Sequence, residues 1–130
     1  MNNQARKSIY VLGDGDRIRE QIEYHLLNNE IQQLTNLSQA LIDAVNSVKS
    51  IAISTMDAQI IMAGGDDILF CIDSEKYQRA NIQQMSEVFY NMVGSTISFG
   101  IGKTIEAAYI NLRRAKSSKS NKIVEEALIQ

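Results

Sequence analysis

MAGGDDILF, residues 62–70, places two glycines and two aspartates between two short apolar segments. The flanking segments, QIIMA at 59–63 and ILFCI at 68–72, have the length and composition of β-strands. Because glycine and aspartate are typical of tight turns, the stretch predicts a β-hairpin with residues 64–67 at its tip. Taken alone, this tip fits a solvated turn as well as a ligand site.

The rest of the chain alternates helical and strand patterns around this hairpin. A second glycine- and aspartate-rich stretch, GDGD at 13–16, directly follows an apolar strand. The apolar stripe Ile18, Ile22, Leu26 predicts one face of a helix, with Asp16 as its N-cap. The predicted elements are strands at 8–13, 59–63, 68–72, 96–101 and 121–124, and helices at about 18–26, 31–48, 77–93 and 104–116.

Strand, helix, hairpin, helix, strand is the order of a split ferredoxin-like domain. We therefore expect an α+β fold in one domain over 1–130, with a central, mostly antiparallel sheet and helices packed on it. In this topology the first strand pairs with the hairpin at the sheet centre. Asp14 and Asp16 are then expected beside Asp66 and Asp67, about fifty positions further along the chain.

Four carboxylates in one cleft repel each other unless a cation compensates them. Oxygen ligands suit Mg²⁺ or Mn²⁺, and two such ions can activate a hydroxyl nucleophile and stabilise a departing diphosphate. The hairpin therefore predicts a metal site, most simply one for two divalent ions.

The composition excludes several other classes of function. A formal net charge of −2 argues against extended electrostatic binding to the phosphate backbone of duplex nucleic acid. One histidine and one cysteine make a zinc site and an internal disulfide untenable. No apolar run approaches the roughly 20 residues of a membrane span, so we expect a cytoplasmic protein without a membrane partner.

Four motifs together resemble a known family. They are YVLGDGDRIR (10–19), MAGGDDILF (62–70), SFGIGKTIEAAY (98–109) and RRAKSSKSNKIV (113–124). The sequence resembles the palm domain shared by GGDEF diguanylate cyclases and the polymerase-like subunit of type III CRISPR effectors. Its size is most similar to that of the minimal CRISPR polymerases (mCpol).

The resemblance implies a role for each motif residue. Asp14 and Asp66 would hold metal through their side chains, and Gly15 through its carbonyl. Asp67 would support the site or the attacking hydroxyl, while Asp16 is either a further ligand or only the helix cap. The nucleotide contacts are expected from Gly64, Gly65, Arg17, Lys103, Lys116 and Lys119. Lys119 and Ser120 stand where the family pattern has glycine followed by lysine or arginine. Lys119 could therefore take the place of the basic residue that is missing at position 120.

The resemblance also bears on substrate and product. The segment EQIEYHLLNNEIQQL (20–34) lacks the glycines and acidic pair with which diguanylate cyclases read guanine. We therefore expect ATP as substrate and a cyclic oligoadenylate, most simply cyclic di-AMP, as product. Family members are associated with antiphage signalling through a separate effector. Since one palm holds one activated nucleotide, cyclisation implies a homodimer.

Three alternatives remain open at this point. GIGKT at 100–104 is reminiscent of a P-loop, but its first glycine is replaced by Ile97. The stretch KSIYVLGDGDRIREQIEYHL at 7–26 also resembles the opening of a response-regulator receiver, which requires a doubly wound parallel sheet. The third alternative is a palm module that binds nucleotide or RNA without catalysis.

Overall fold

The structure is a computed structural model that describes residues 7–127. Within this range one five-stranded sheet packs against four α-helices. The strands are β1 (Ser8–Gly15), β2 (Gln59–Gly64), β3 (Asp67–Asp73), β4 (Ile97–Gly102) and β5 (Ile123–Glu125). The helices are α1 (Ile18–Leu27), α2 (Ile31–Met56), α3 (Arg79–Val93) and α4 (Ile105–Ser117).

The sheet has the strand order β2-β3-β1-β4-β5, with β1 at its centre. Strand β1 pairs antiparallel with both β3 and β4, and β2 pairs antiparallel with β3. Only the short β5 runs parallel to its neighbour β4. The expected mostly antiparallel α+β sheet is therefore confirmed. A receiver is excluded, because its sheet is parallel throughout.

The two faces of the sheet are covered differently. Alternate residues of β1 and β4, such as Val11, Phe99 and Ile101, join the main hydrophobic core with side chains of α2 and α3. The intervening residues of β4 face α4 on the other side. The domain thus has three layers, and α4 forms the third layer alone.

Two glycines let α4 lie unusually close to the sheet. A Cβ atom on Gly100 would lie 2.1 Å from both the Ala108 carbonyl oxygen and the Leu112 nitrogen. A Cβ on Gly102 would lie 2.6 Å from the Ala107 Cβ. The glycines of GIGKT are thus explained by helix packing, and they do not form a phosphate-binding loop. Thr104 caps α4 as expected, since its Oγ1 accepts a hydrogen bond from the Ala107 N–H at 3.0 Å.

Two predicted helix boundaries are wrong: the end of α2, which extends to Met56 and not to about residue 48, and the start of α3. Helix α3 begins at Arg79, after a single 3₁₀ turn at Ser74–Lys76, and not at Tyr77. Tyr77 is extended and buried, and its hydroxyl donates to the Glu125 carboxylate, which fixes it outside the helix. On α1, Ile18 is buried, but Ile22 and Leu26 are 36% and 60% exposed, so the stripe does not face the core.

Within residues 7–127, no helix combines the length and apolar character that crossing a bilayer requires.

The α4 contact makes a prediction about stability. Gly100→Ala should destabilise the domain by at least about 2 kcal/mol, because the new methyl group collides with backbone atoms that cannot rotate away. Gly64→Ala is the control, since a Cβ there meets no atom within 4 Å. Urea unfolding followed by circular dichroism measures both. Equal stability of the two variants would contradict the described packing.

Candidate active site

Backbone pairing brings three carboxylates together at one end of the sheet. The register of β1 and β3 places Asp14 directly opposite Asp67. Asp66 lies in the turn before β3, and its carbonyl accepts a hydrogen bond of 2.9 Å from the Gly15 N–H. One carboxylate oxygen each from Asp14, Asp66 and Asp67 lies within 4.8 Å of the other two. The sequence predicted that these three carboxylates lie together, because the β1–β3 pairing follows from the ferredoxin-like order, but it also placed Asp16 among them.

The hairpin tip has only one glycine with a conformational requirement. Gly65 has φ of +58° and is the first of the two residues in the turn, a position that favours glycine in type II′ hairpins. Gly64 ends β2 and is not among the positive-φ residues that the structure describes. A triphosphate could approach both glycines closely, and their role as nucleotide contacts stays a prediction.

Burial and Asp14 raise the pKa of the two neighbouring carboxyl groups, Asp66 and Asp67. Burial and the neighbouring Asp14 raise the pKa of Asp66 to about 6. Burial and Asp14 also raise the pKa of Asp67. Directly opposed like charges in a sheet are destabilising without compensation. This oxygen-only donor set, with its unfavourable charge, fits a hard divalent cation such as Mg²⁺ or Mn²⁺.

Asp16 is not part of this group, and its predicted role as N-cap of α1 is wrong. The cap position belongs to Arg17, whose φ of 61° is left-handed and whose side chain makes no capping bond. The buried Asp16 carboxylate instead accepts hydrogen bonds from Thr96 (2.6 Å) and Ser98 (2.7 Å). Burial opposes ionisation of Asp16, but bonds from Lys116, Thr96 and Ser98 outweigh it and lower its pKa.

Lys116 links Asp16 to the three carboxylates. Its ammonium donates to the Asp14 and Gly15 carbonyl oxygens at 3.0 and 2.8 Å, and to Asp16 Oδ1 at 2.8 Å. It also lies 3.2 Å from Asp14 Oδ2. Lys116, which was expected to contact the triphosphate, therefore donates to the Gly15 carbonyl, which was expected to bind metal.

A cleft of about 760 Å³, the acidic cleft, opens from the three carboxylates along α1. Asp14, Asp66 and Lys116 form its charged end, and Ile22 and Leu26 line its α1 side. The sequence predicted that these two residues share a helix face with Ile18, but not that this face lines the cleft. Arg19 also lines the cleft and was missed, since nothing in its spacing separates it from a solvated arginine.

The comparison with family models identifies the domain. The model of the minimal CRISPR polymerase domain, mCpol, matches residues 10–126. The chain belongs to the mCpol family. No protein of curated function matches the chain.

Solved structures share the fold of this mCpol domain at low sequence identity. The Csm1–Csm4 cassette, solved in complex with cA4, matches with a TM-score of 0.74 and 16% identity over 90% of this chain. The adenylyl cyclase CyaB from P. aeruginosa matches with a TM-score of 0.66 and 15% identity over 95% of this chain. An EAL/GGDEF domain protein from M. capsulatus matches with a TM-score of 0.56 and 14% identity over 95% of this chain.

The shared length differs among these structures. The match spans 20% of the Csm1–Csm4 chain, 79% of the CyaB chain and 86% of the EAL/GGDEF chain. The mCpol domain thus has the polymerase and cyclase palm fold, and the chain spans only a fifth of the first of these proteins.

The remaining predicted nucleotide contacts differ in position. Arg17 lines the acidic cleft, and its exposed side chain pairs with Glu20 at 2.8 Å. Lys119 is exposed in the loop between α4 and β5. Lys103 directly follows Gly102, which pairs with Tyr10 of β1. Tyr10 is four residues from Asp14 along β1, which corresponds to about 13 Å. The structure therefore does not bring Lys103 to the acidic cleft.

The raised pKa of Asp66 gives a pH-dependent prediction for the metal-free protein. Because the folded pKa lies near 6 and the ordinary value is 3.8, the folded state binds the extra proton. Metal-free stability should therefore fall as pH rises from about 4 to about 6. Asp66→Asn should raise Tm at pH 7.5 by about 4 °C, with a smaller gain at pH 4.5.

Thermal unfolding in EDTA tests this, with Asp43→Asn as the matched control on the exposed side of α2. The control should shift Tm little at either pH. A Tm gain for Asp66→Asn that is the same at both pH values would contradict the assigned electrostatics.

Proposed function

We propose that this mCpol domain is a metal-dependent nucleotidyltransferase that joins nucleoside triphosphates into a cyclic oligonucleotide. The observation that carries the proposal is the group of three carboxylates, Asp14, Asp66 and Asp67, whose oxygens lie within 4.8 Å at the end of an open cleft. A purely structural turn has no need to place three partly buried acids in mutual contact.

The residues present fit one or two divalent ions. Asp14 and Asp66 would hold Mg²⁺ or Mn²⁺ through their carboxylates, with the Gly15 carbonyl as a further ligand. When bound, the metal would neutralise the triphosphate and increase the acidity of the attacking hydroxyl.

The chain's own residues then have distinct tasks. A 3′- or 2′-hydroxyl oxygen of one nucleotide bonds to the α-phosphorus of another, the α–β anhydride bond breaks, and diphosphate leaves. Asp67, whose pKa is raised by burial and by Asp14, would accept the hydroxyl proton. Lys116 neutralises negative charge beside Asp14, and it would contact the triphosphate by exchanging its bond to the Gly15 carbonyl.

ATP is the proposed substrate and a cyclic oligoadenylate, most simply cyclic di-AMP, the proposed product. The α1–α2 region lacks the acidic pair used to read guanine, and two structures of the same fold carry adenine chemistry in their names, the cA4-bound cassette and the adenylyl cyclase. Ile22 and Leu26 offer an apolar wall for a purine. We further propose that the product is an antiphage signal read by a separate effector.

A product assay tests this function. The purified chain is incubated with each NTP, alone and mixed, with Mg²⁺ or Mn²⁺, and phosphatase-treated products are identified by mass spectrometry. We expect a phosphatase-resistant cyclic product from ATP. Asp66→Asn should reduce its formation by at least about 100-fold, because one metal ligand is lost, while Asp43→Asn should retain full activity.

One observation favours a second candidate, a palm module that binds nucleotide without catalysis. Lys116 occupies the Gly15 carbonyl that a metal would need. If the chain binds nucleotide but forms no product with either Mg²⁺ or Mn²⁺, the result would support this candidate and contradict the proposed cyclase activity. Product from GTP alone would retain the cyclase and overturn the base assignment.

The cyclisation step requires two active sites, so we propose a homodimer. Apolar side chains at the end of α1 and the start of α2 are strongly exposed: Leu26 by 60%, Leu27 by 87% and Ile31 by 70%. Leu26 also lines the cleft, so a second copy seated here would face the first active site. Such a patch is unusual unless it is covered.

Sedimentation velocity with Mg²⁺ and a non-hydrolysable ATP analogue tests the dimer. Leu27→Glu should shift the chain to monomer and lower the yield of cyclic product. Ile53→Glu is the control, because Ile53 is a similarly apolar residue, 47% exposed, near the opposite end of α2. A wild-type chain that stays monomeric with nucleotide and metal would contradict the proposal.

A further inference from the structure

A second cavity, of about 290 Å³, lies between α3 and the segment at 120–123. It shares no lining residue with the acidic cleft. Helix α3 packs on the core face of the sheet, whereas Lys116 reaches the acidic cleft from α4 on the other face. The two cavities are therefore separate, and both lie at the end of the sheet where β1 ends and β4 begins.

The lining of this cavity suits an anion. Its polar residues include two cations, Arg79 and Lys122, and two amides, Gln83 and Asn121. Among the described residues, no aspartate or glutamate lines it. Cations and amide N–H groups that converge without a carboxylate are the donor set that binds an oxyanion.

A buried hydroxyl in the lining lacks a partner. Ser86 Oγ is inaccessible to solvent and makes no hydrogen bond to any atom of residues 7–127. An unsatisfied buried hydroxyl costs about 1–3 kcal/mol, so such groups are usually paired in the functional state. The cavity is also much larger than the roughly 30 Å³ that one water molecule occupies. Its size and its unused donor both indicate a polyatomic guest.

The two cations differ in how firmly the protein holds them. Arg79 lies 3.1 Å from Glu125 Oε1 and donates to the Ile123 carbonyl at 3.1 Å, which anchors β5. The Lys122 ammonium is 3.8 Å from Asp16 Oδ2, which is longer than a hydrogen bond. Lys122 can therefore turn toward an anion at little cost, while Arg79 contributes a fixed charge.

We propose that this cavity binds a phosphate group, with Lys122 as the principal cation and Ser86 as a hydrogen-bond donor. Free phosphate, free diphosphate and the terminal phosphates of a nucleotide share this chemistry. The size of the cavity favours free phosphate or diphosphate over a whole nucleotide. Binding itself requires neither metal nor catalysis.

The cavity is connected to the active site through Asp16. Thr96 and Lys122 both line the cavity, and both contact the Asp16 carboxylate. Asp16 in turn holds Lys116 beside Asp14. An anion that draws Lys122 away from Asp16 removes one of the two cations that compensate this carboxylate, which tightens the Asp16–Lys116 pair. If the proposed function holds, released diphosphate would act here as a regulator of Lys116.

Isothermal titration calorimetry in EDTA tests the binding, with phosphate, diphosphate and a non-hydrolysable ATP analogue as separate probes. Without metal, the carboxylates of Asp14, Asp66 and Asp67 disfavour anion binding at the acidic cleft. We expect diphosphate or phosphate to bind, and Lys122→Gln to weaken binding about tenfold. Lys49→Gln on α2, which makes the same charge change away from the cavity, should leave binding unchanged.

Two further variants keep the proposal falsifiable if Lys122→Gln folds poorly. Asn121→Asp adds a negative charge to the lining and should abolish binding, and Ser86→Ala should weaken it several-fold. The proposal is overturned if neither phosphate nor diphosphate binds at millimolar concentration, or if the two lysine variants weaken binding equally. Tighter binding of the ATP analogue than of diphosphate would overturn the assignment to a free anion. None of these outcomes depends on whether the chain makes a cyclic product.

Discussion

The antiparallel pairing of β1 with β3 places the Asp14 carboxylate opposite that of Asp67, and the rest of the site follows from this constraint. The two-residue turn adds Asp66 beside them, and its carbonyl is fixed by the Gly15 N–H. A backbone cannot relax this repulsion without losing the central strand pair. The charge must instead be met by a lysine, by a metal or, at acidic pH, by protonation. Lys116 lies 3.2 Å from Asp14 Oδ2, and the pKa of Asp66 is raised to about 6.

Helix α4 delivers the lysine, and its approach is a second constraint. Gly100 and Gly102 allow the helix backbone to contact β4, which places the last turn of α4, with Lys116, over the end of β1. Asp16 then fixes the ammonium, and Thr96 and Ser98 fix Asp16. The metal-free site is thus arranged around a bound ammonium. If the Gly15 carbonyl holds a metal, as we propose, Lys116 would be free to contact a substrate phosphate, which would couple the lysine to the acidic group.

The sequence predicted the parts of this arrangement that depend on alternation and turn chemistry. The hairpin, the strand order and the Asp14, Asp66, Asp67 group follow from short apolar runs ending in glycine and aspartate. The position of Asp16 did not follow, because a helix cap and a buried acceptor have the same local sequence, and the deciding donors lie 80 residues away. The exposure of Ile22 and Leu26 did not follow either, since periodicity reports which residues share a helix face but not whether that face is covered. Lys103 was grouped with the phosphate contacts because it follows two glycines, whereas the direction of β4 carries it to the opposite end of the sheet.

The central claim is that the three carboxylates form a divalent cation site. Titration of the nucleotide-free chain with Mn²⁺, followed by electron paramagnetic resonance of the free ion, measures that site without any assumption about substrate. We expect Mn²⁺ to bind the wild-type chain, Asp14→Asn and Asp66→Asn each to abolish this binding, and Asp43→Asn to leave it intact. Equal Mn²⁺ binding by all four proteins would contradict it, because the ion would then be held by surface acids unrelated to the hairpin.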